Sequence, residues 1–339
     1  MPMPGPPEQP SVSVILAVLD EADFIDGVLS DLLGQDYEGT LEVIVADGGS
    51  TDGTLARLED WAARDRRVSV IANPERRQAP GLNLAAAKAS CEVLVRADGH
   101  TRFASDYVRA SVEVLEETGG AVGGRMFPVG RSKFGRAVAA AMKSPLTMGP
   151  GRFHHSTSRE EVDTVYLGAI RREQFHAQGG FRPFPSGTSE DADFYFRWRR
   201  QGGKVFVDPS IRSEYTPRDQ PADLWRQYFR YGMGKAEMLW RNGTLPSWRP
   251  LAPMALVLGI VLLALVGVVT QVWVPLVVLL GLWLVLLIWV ALRADERAPG
   301  VLLAAGIMHL AYGLGELWGL VRGPVADRSH GRIHSNGRT

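Results

Sequence analysis

The chain has 339 residues, 46% of them apolar, with 37 basic and 37 acidic side chains and a formal net charge of +0. That length suits one large domain or two smaller ones, with ample apolar material for a packed core. The charge balance excludes the broad basic face that a nucleic-acid partner requires, and the single cysteine, Cys91, excludes an intrachain disulfide and fits a reducing compartment.

Residues 1–10, M-P-M-P-G-P-P-E-Q-P, contain neither a basic n-region nor an apolar h-region, so no secretory signal is read and the catalytic part is expected in the cytosol. The prolines oppose helix and sheet, which predicts a disordered lead-in. Ser11 to Leu19 then reads as a buried strand, Ala22 to Leu33 as an amphipathic helix, Leu41 to Ala46 as a strand and Thr51 to Ala63 as a helix. Val68 to Ala72 is a strand, Gly81 to Ala89 a helix, and Cys91 to Ala97 a strand that stops at Asp98. This β-α-β alternation predicts an α/β domain over residues 11–218, a mostly parallel sheet flanked by helices. Ligands of such sheets sit beyond the carboxyl ends of the strands, where Asp47 and Asp98 fall.

Past Gly130 the pattern loosens into a helical Phe134 to Lys143 and the segment P-L-T-M-G-P-G-R-F-H-H-S-T-S, which reads as a mobile substrate-side loop. Its histidines, His154 and His155, are read as solvent-exposed rather than as metal ligands. Residues 219–250 carry Trp225, Tyr228, Phe229 and Trp240 among arginines, the pattern of an aromatic helix at a membrane surface. Leu251 to Val269 and Val272 to Leu292 are each long and apolar enough to cross a hydrocarbon core as a hairpin. Gly300 to Val321 is long enough but carries His309, Glu316 and several glycines, so residues 251–322 hold two or three spans, the last either crossing or lying at the interface. With the enzyme domain inside, Arg293 and Arg297 obey the positive-inside tendency. A third crossing would then place Arg322, and Arg328, Arg332 and Arg338 of a basic tail over residues 323–339 read as disordered, on the wrong side.

Three acidic landmarks carry the chemistry. Asp47, in V-A-D-G-G-S-T-D-G-T, ends an apolar run, and its glycines let a ligand approach the backbone while the carboxylate accepts from a uracil or ribose edge. An ordinary capped turn is the plain alternative. Asp98, in R-A-D-G-H, with His100 offers one oxygen and one imidazole nitrogen, a set that suits Mn²⁺ at least as well as Mg²⁺. Glu190 and Asp191 open the helix S-E-D-A-D-F-Y-F-R-W-R-R, where macrodipole matching competes with a general base as the explanation. Gln227, Arg230 and Tyr231 share one helix face.

In this order the motifs of residues 11–235 resemble those of the family 2 glycosyltransferases, which have the GT-A fold. V-S-V-I-L-A-V-L-D-E is similar to the family's first strand and Asn-Glu turn, with Asp20 in place of Asn beside Glu21. D-G-G-S-T-D-G-T resembles the nucleoside motif with Gly48 where a second Asp is common, and Q-Y-F-R-Y resembles Q-x-x-R-W with Tyr231 for Trp. The segments V-D-T-V-Y-L-G-A-I-R-R, E-Y-T-P-R and R-Q-Y-F-R-Y-G-M-G-K are similar to the succinoglycan-type ExoA glucosyltransferases.

The resemblance implies an inverting, metal-dependent hexosyltransferase. Asp191 would be the catalytic base and Glu190 would position the acceptor. Asp20, Glu21, Asp47, Arg76, Asp98, Gln227, Arg230 and Tyr231 would hold the nucleotide-sugar, a UDP-hexose, and Asp98 with His100 the Mn²⁺ or Mg²⁺ cofactor. The implied acceptor is a polyprenyl-diphosphate-linked saccharide, used in exopolysaccharide or cell-surface glycan synthesis. The protein would be multi-pass in the plasma or inner membrane, in contact with membrane lipid and with no nucleic-acid partner. A polyprenyl-phosphate sugar synthase, a processive polysaccharide synthase and a silent membrane scaffold or transporter component are the rival readings. Because every motif precedes residue 235, truncation after Asn242 is expected to leave a folded, donor-binding domain.

Overall fold

The computed structural model describes residues 9–149, 155–244 and 248–324, so most of the expected N-terminal lead-in, His154 and the basic tail from residue 325 lie outside the described residues. Uninterrupted β-branched runs form the first strands. β1 (Val12–Val18), α1 (Ile25–Leu33), β2 (Leu41–Asp47), α2 (Thr54–Arg64), β3 (Val68–Ala72), α3 (Gln78–Lys88) and β4 (Val93–Arg96) follow one another, and β1 pairs in parallel with both β2 and β4, as β2 does with β3. Two helix starts differ from the sequence reading. α2 begins at Thr54 because Ser50 to Gly53 form a turn, with Gly53 at φ 100°. α3 begins at Gln78, three residues early, because Pro80 is accommodated in its first turn.

The second half mixes parallel and antiparallel pairs. β5 (Thr101–Phe103), α4 (Tyr107–Thr118), β6 (Ala121–Pro128), α5 (Lys133–Met142), α6 (Pro145–Met148), β7 (Glu160–Glu161), β8 (Tyr166–Arg171), α7 (Arg172–Ala177), α8 (Glu190–Arg200) and β9 (Val205–Tyr215) complete the domain. The strand order is β3-β2-β1-β4-β8-β6-β9-β5, with β7 on β9. β8 is antiparallel to β4 and β6, and β9 is parallel to β6 but antiparallel to β5 and β7. The sheet is therefore mixed: parallel through β3-β2-β1-β4 and again between β6 and β9, with short antiparallel ladders where β8, β5 and β7 join, in keeping with the mostly parallel α/β expectation.

Alternate residues of β1 fill two cores. Val12, Val14, Leu16 and Val18 pack with α1 and α4, and Ile15 packs with α3, α7 and α8. A third core joins the domain to the C-terminal helices α9 (Pro221–Asn242), α10 (Leu251–Thr270), α11 (Val274–Leu292) and α12 (Ala298–Arg322). In it Met126, Ala137, Val138, Tyr215, Leu224 and Tyr228 meet Leu287, Val290, Val301, Ala304 and Met308. The segment read as a mobile loop is tied into this region at its start: Tyr228 Oη lies 3.1 Å from Met148 Sδ, and His309 Nε2 lies 3.1 Å from the Leu146 carbonyl. α10, α11 and α12 are all long and apolar enough to cross a membrane, with mean hydropathies of 2.7, 2.8 and 1.4.

Candidate active site

The carboxyl ends of β1, β2 and β4 build the site in two adjoining parts. At the β2 end Asp47 is buried and spends its carboxylate on its own turn: Oδ2 accepts from the Gly49 and Ser50 amides at 2.8 and 3.1 Å, and Oδ1 from Ser50 Oγ at 2.6 Å. Gly49 at φ 74° supplies the left-handed turn that this closure needs. The turn is fastened to the β1 end. Asp20 Oδ1 accepts from the Thr51 amide at 2.8 Å, the Asp20 amide donates to Ser50 Oγ, and the Glu21 amide donates to Thr54 Oγ1. Arg76 reaches over this turn, its guanidinium 3.7 Å from the point where a Gly49 Cβ would stand. Arg77 is instead paired with Glu75 at 2.7 Å.

At the β4 end a chain of charges leads from Asp98 to the third landmark. Asp98 Oδ1 accepts from Gln78 Nε2 at 3.0 Å and Arg96 Nε at 3.3 Å, and Arg96 Nη2 reaches Glu190 Oε1 at 3.2 Å. All three charged groups are buried, and the Arg96 guanidinium lies over the Phe181 ring. One cation between two buried carboxylates leaves Glu190 undercompensated. Burial raises its pKa to about 7 against the opposing pull of Arg96. Asp191, next in α8, is half-buried and caps the Ala192 amide with Oδ1 at 2.6 Å. Ser189, which precedes the pair, is left-handed at φ 70°, a strained conformation of the kind found where side chains are held for function.

His100 Nδ1 contacts Glu21 Oε1 at 3.1 Å, and its ring meets Tyr215 edge-on. Burial lowers the His100 pKa, but the hydrogen bond and charge of Glu21 outweigh it and the net direction is upward. Gly99 lets this end of β4 lie against β1, since a Cβ there would stand 3.0 Å from Val18 Cγ1 and 3.1 Å from Glu21 Cγ.

α9 closes the site from the membrane-helix side. Gln227 Nε2 donates to Tyr215 Oη at 2.9 Å and Tyr231 Oη at 3.0 Å, and Arg230 Nε donates to the Ser186 carbonyl at 3.0 Å. The rest of the Arg230 guanidinium is exposed. Thr188 Oγ1 donates back to the Arg230 carbonyl, and Gly234 permits this approach, because a Cβ there would lie 2.7 Å from Ser189 Oγ. The charges of Asp191 and Arg218 both reach the Tyr231 phenol.

Contacts thus link Glu21, His100, Tyr215, Gln227 and Tyr231 in one chain and Asp98, Arg96 and Glu190 in another, with the charge of Asp191 reaching both Arg96 and Tyr231, while Asp20, Asp47 and Arg76 stand one strand away. Sequence reasoning missed Gln78, Arg96, Tyr215 and Arg218. Arg96 carried a signal as a lone charge in the apolar strand V-L-V-R-A, and Tyr215 and Arg218 lie in the segment E-Y-T-P-R that bears the family resemblance, but neither was given a role.

A family model described as "Glycosyl transferase family 2" matches residues 13–173, and one described as "Glycosyl transferase family group 2" matches residues 95–291. "Succinoglycan biosynthesis protein ExoA" of Rhizobium meliloti (strain 1021) is 31% identical over 310 residues, 89% of this chain and 92% of that protein. The chain belongs to glycosyltransferase family 2. A more distant family relative is a "Dolichyl N-acetyl-alpha-D-glucosaminyl phosphate 3-beta-D-2,3-diacetamido-2,3-dideoxy-beta-D-glucuronosyltransferase" of Methanococcus voltae, 21% identical over 237 residues, 67% of this chain and 74% of that one. The glycosyltransferase fold is matched by the solved "Mannosyltransferase PcManGT from Pyrobaculum calidifontis in complex with GDP-Man and Mn2+", with TM-score 0.65 and 24% identity over 93% of this chain and 89% of that structure.

Proposed function

We propose that this glycosyltransferase moves a hexose from a nucleoside-diphosphate sugar to a hydroxyl of a polyprenyl-diphosphate-linked saccharide, with inversion, at the cytoplasmic face of the membrane, in exopolysaccharide or cell-surface glycan synthesis. The observation that carries this reading is the buried relay Asp98–Arg96–Glu190, which on this reading would couple the donor side to the acceptor side, with Asp191 half-exposed next to Glu190. The M. voltae relative, named for a dolichyl-phosphate-linked acceptor, supports an acceptor carried on lipid.

Asp20, Asp47 and Arg76 hold the nucleoside end, the first two by accepting the amides of the glycine turn and so fixing the surface against which the ligand lies. Asp191 accepts the proton of the acceptor hydroxyl as that oxygen attacks the anomeric carbon, and Glu190, tied to Arg96, fixes the start of α8 that carries Asp191. The exposed end of Arg230, with Tyr231 and Gln227, lies where negative charge develops on the leaving diphosphate.

A divalent ion fits these residues as a guest shared with the donor. Among the described residues no three His, Cys, Asp or Glu side chains group to enclose an ion by themselves. Asp98 engages only Oδ1 and His100 only Nδ1, so one carboxylate oxygen and one imidazole nitrogen remain. Mn²⁺ suits that pair at least as well as Mg²⁺. Bound there, the ion would neutralise the diphosphate as the sugar leaves.

The test is a panel of UDP- and GDP-sugars offered to the purified full-length protein with membrane lipid extract, scored for nucleotide release and for label in the lipid fraction. Release and lipid labelling that need a divalent ion, and that Asp98→Asn largely removes, support the proposal. Full turnover in excess chelator would remove the metal from it, and label appearing on polyprenyl phosphate itself would favour the synthase reading.

A further inference from the structure

Length and hydropathy alone make α12 a third crossing, yet half of its most apolar window is buried within the protein, against 11% for α10 and 17% for α11. Its contacts run along the first turn of α10, where a Cβ on Gly313 would collide with the Pro253 carbonyl, along the end of α11, whose Leu287 and Val290 share a core with Val301 and Ala304, and along the catalytic domain. A Cβ on Gly300 would stand 2.9 Å from Ala137 Cβ of α5. His309 meets the Leu146 carbonyl of α6. A Cβ on Gly315 would collide with the Phe229 carbonyl of α9, and one on Gly319 would stand 2.6 Å from Ala236 Cβ. From Gly300 to Gly319 the helix rises about 28 Å, nearly the ~30 Å of a hydrocarbon core.

If α12 stood across the bilayer, α5, α6 and α9 would have to descend with it. Lys143, beside α6, and Arg230 and Lys235 of α9 would then lie at hydrocarbon depth, where charged groups are costly and confined to bundle interiors or watery cavities. The other face of α12 is apolar and open, with Leu303 50%, Leu314 37%, Trp318 55% and Val321 82% exposed.

We propose that α12 does not cross the membrane but lies in its plane, its large apolar residues in the headgroup–acyl boundary and its glycine-rich face against the catalytic domain. The occupant of the open face is the bilayer that α10 and α11 enter, since α12 is joined directly to the end of α11. The domain replaces the charged face that an isolated interfacial helix presents to water. The chain then crosses twice, through α10 and α11, and Arg293, Arg297 and Arg322 all lie on the side of the catalytic domain, as the positive-inside tendency requires.

The test uses the full chain in sealed vesicles of both orientations, with Cys91→Ala as the background and single cysteines placed by Glu59→Cys on α2, Gln271→Cys at the hairpin tip and Arg322→Cys at the end of α12. An impermeant maleimide should label the α2 and α12 positions from one side and the hairpin tip from the other. Labelling of the α12 end together with the hairpin tip overturns the proposal. A second measurement places nitroxides through Leu303→Cys and Trp318→Cys, about 22 Å apart along the helix axis. Equal depth by collision with dissolved oxygen against an aqueous nickel chelate is the expected result, and depths that differ by most of that separation overturn it.

Discussion

Arg96 is the residue on which both halves of the site depend, because it lies between Asp98 at 3.3 Å and Glu190 at 3.2 Å. Burial raises the Glu190 pKa to about 7 even beside this guanidinium, so Glu190 is protonated below that pH and loses the charge that holds Arg96. Activity is therefore expected to fall as the pH drops through about 7. Glu190→Gln, uncharged at every pH, should be slower but lack this acid limb in its kcat/KM profile, whereas a limb at the same position in the variant would assign it to another group. The sequence showed the acids and not their connection. Asp98 and Glu190 stand 92 positions apart, and the lone arginine in an apolar strand was the one visible trace of the buried charge that joins them.

Helices α9 and α12 meet through glycines, and the same substitution at one of them and at a helix glycine outside that contact should have opposite outcomes. A Cβ on Gly232 would collide with the Tyr312 carbonyl and stand 2.7 Å from the Glu316 amide nitrogen, whereas one on Gly281, in α11, would meet nothing within 4 Å. Gly232→Ala is expected to destabilise the protein by about 1–3 kcal/mol, the usual cost of overpacking, and to slow turnover, since α9 carries Gln227, Arg230 and Tyr231. Gly281→Ala should keep or raise stability. Thermal unfolding in detergent distinguishes them, and equal melting temperatures would mean that the α9–α12 contact does not hold the fold. In sequence these glycines read only as weak points in helices, because propensity says nothing about which partner a close approach serves. The parallel strands β1 to β4 were legible for the opposite reason: each is rich in β-branched apolar residues, and β1, β2 and β4 are buried on both faces. β5 to β9 were not, since β5 and β7 are only three and two residues long and β6 slips register against β9 at Gly124 and Arg125.

At the scale of the whole molecule the catalytic domain and the membrane helices share a core, which the order of motifs along the chain did not reveal. Met126, Tyr215, Leu224 and Tyr228 pack with Leu287, Val301 and Met308, so removing everything after Asn242 would expose the face of α9 that supports the Q-Y-F-R-Y segment. Contrary to the expectation from motif order, the truncated protein should aggregate or bind nucleotide-sugar weakly, as seen by size-exclusion chromatography and donor titration. A monodisperse fragment with full donor affinity would show that the shared core is dispensable. The central claim is that Asp191 removes the proton from an acceptor hydroxyl on a lipid-linked saccharide. Its most direct measurement compares transfer of labelled sugar into the lipid fraction by wild type and Asp191→Asn, with donor binding recorded on the same preparations. Transfer should fall by roughly 10² to 10⁴ with donor affinity unchanged. Wild-type transfer by the Asp191→Asn protein would contradict the account.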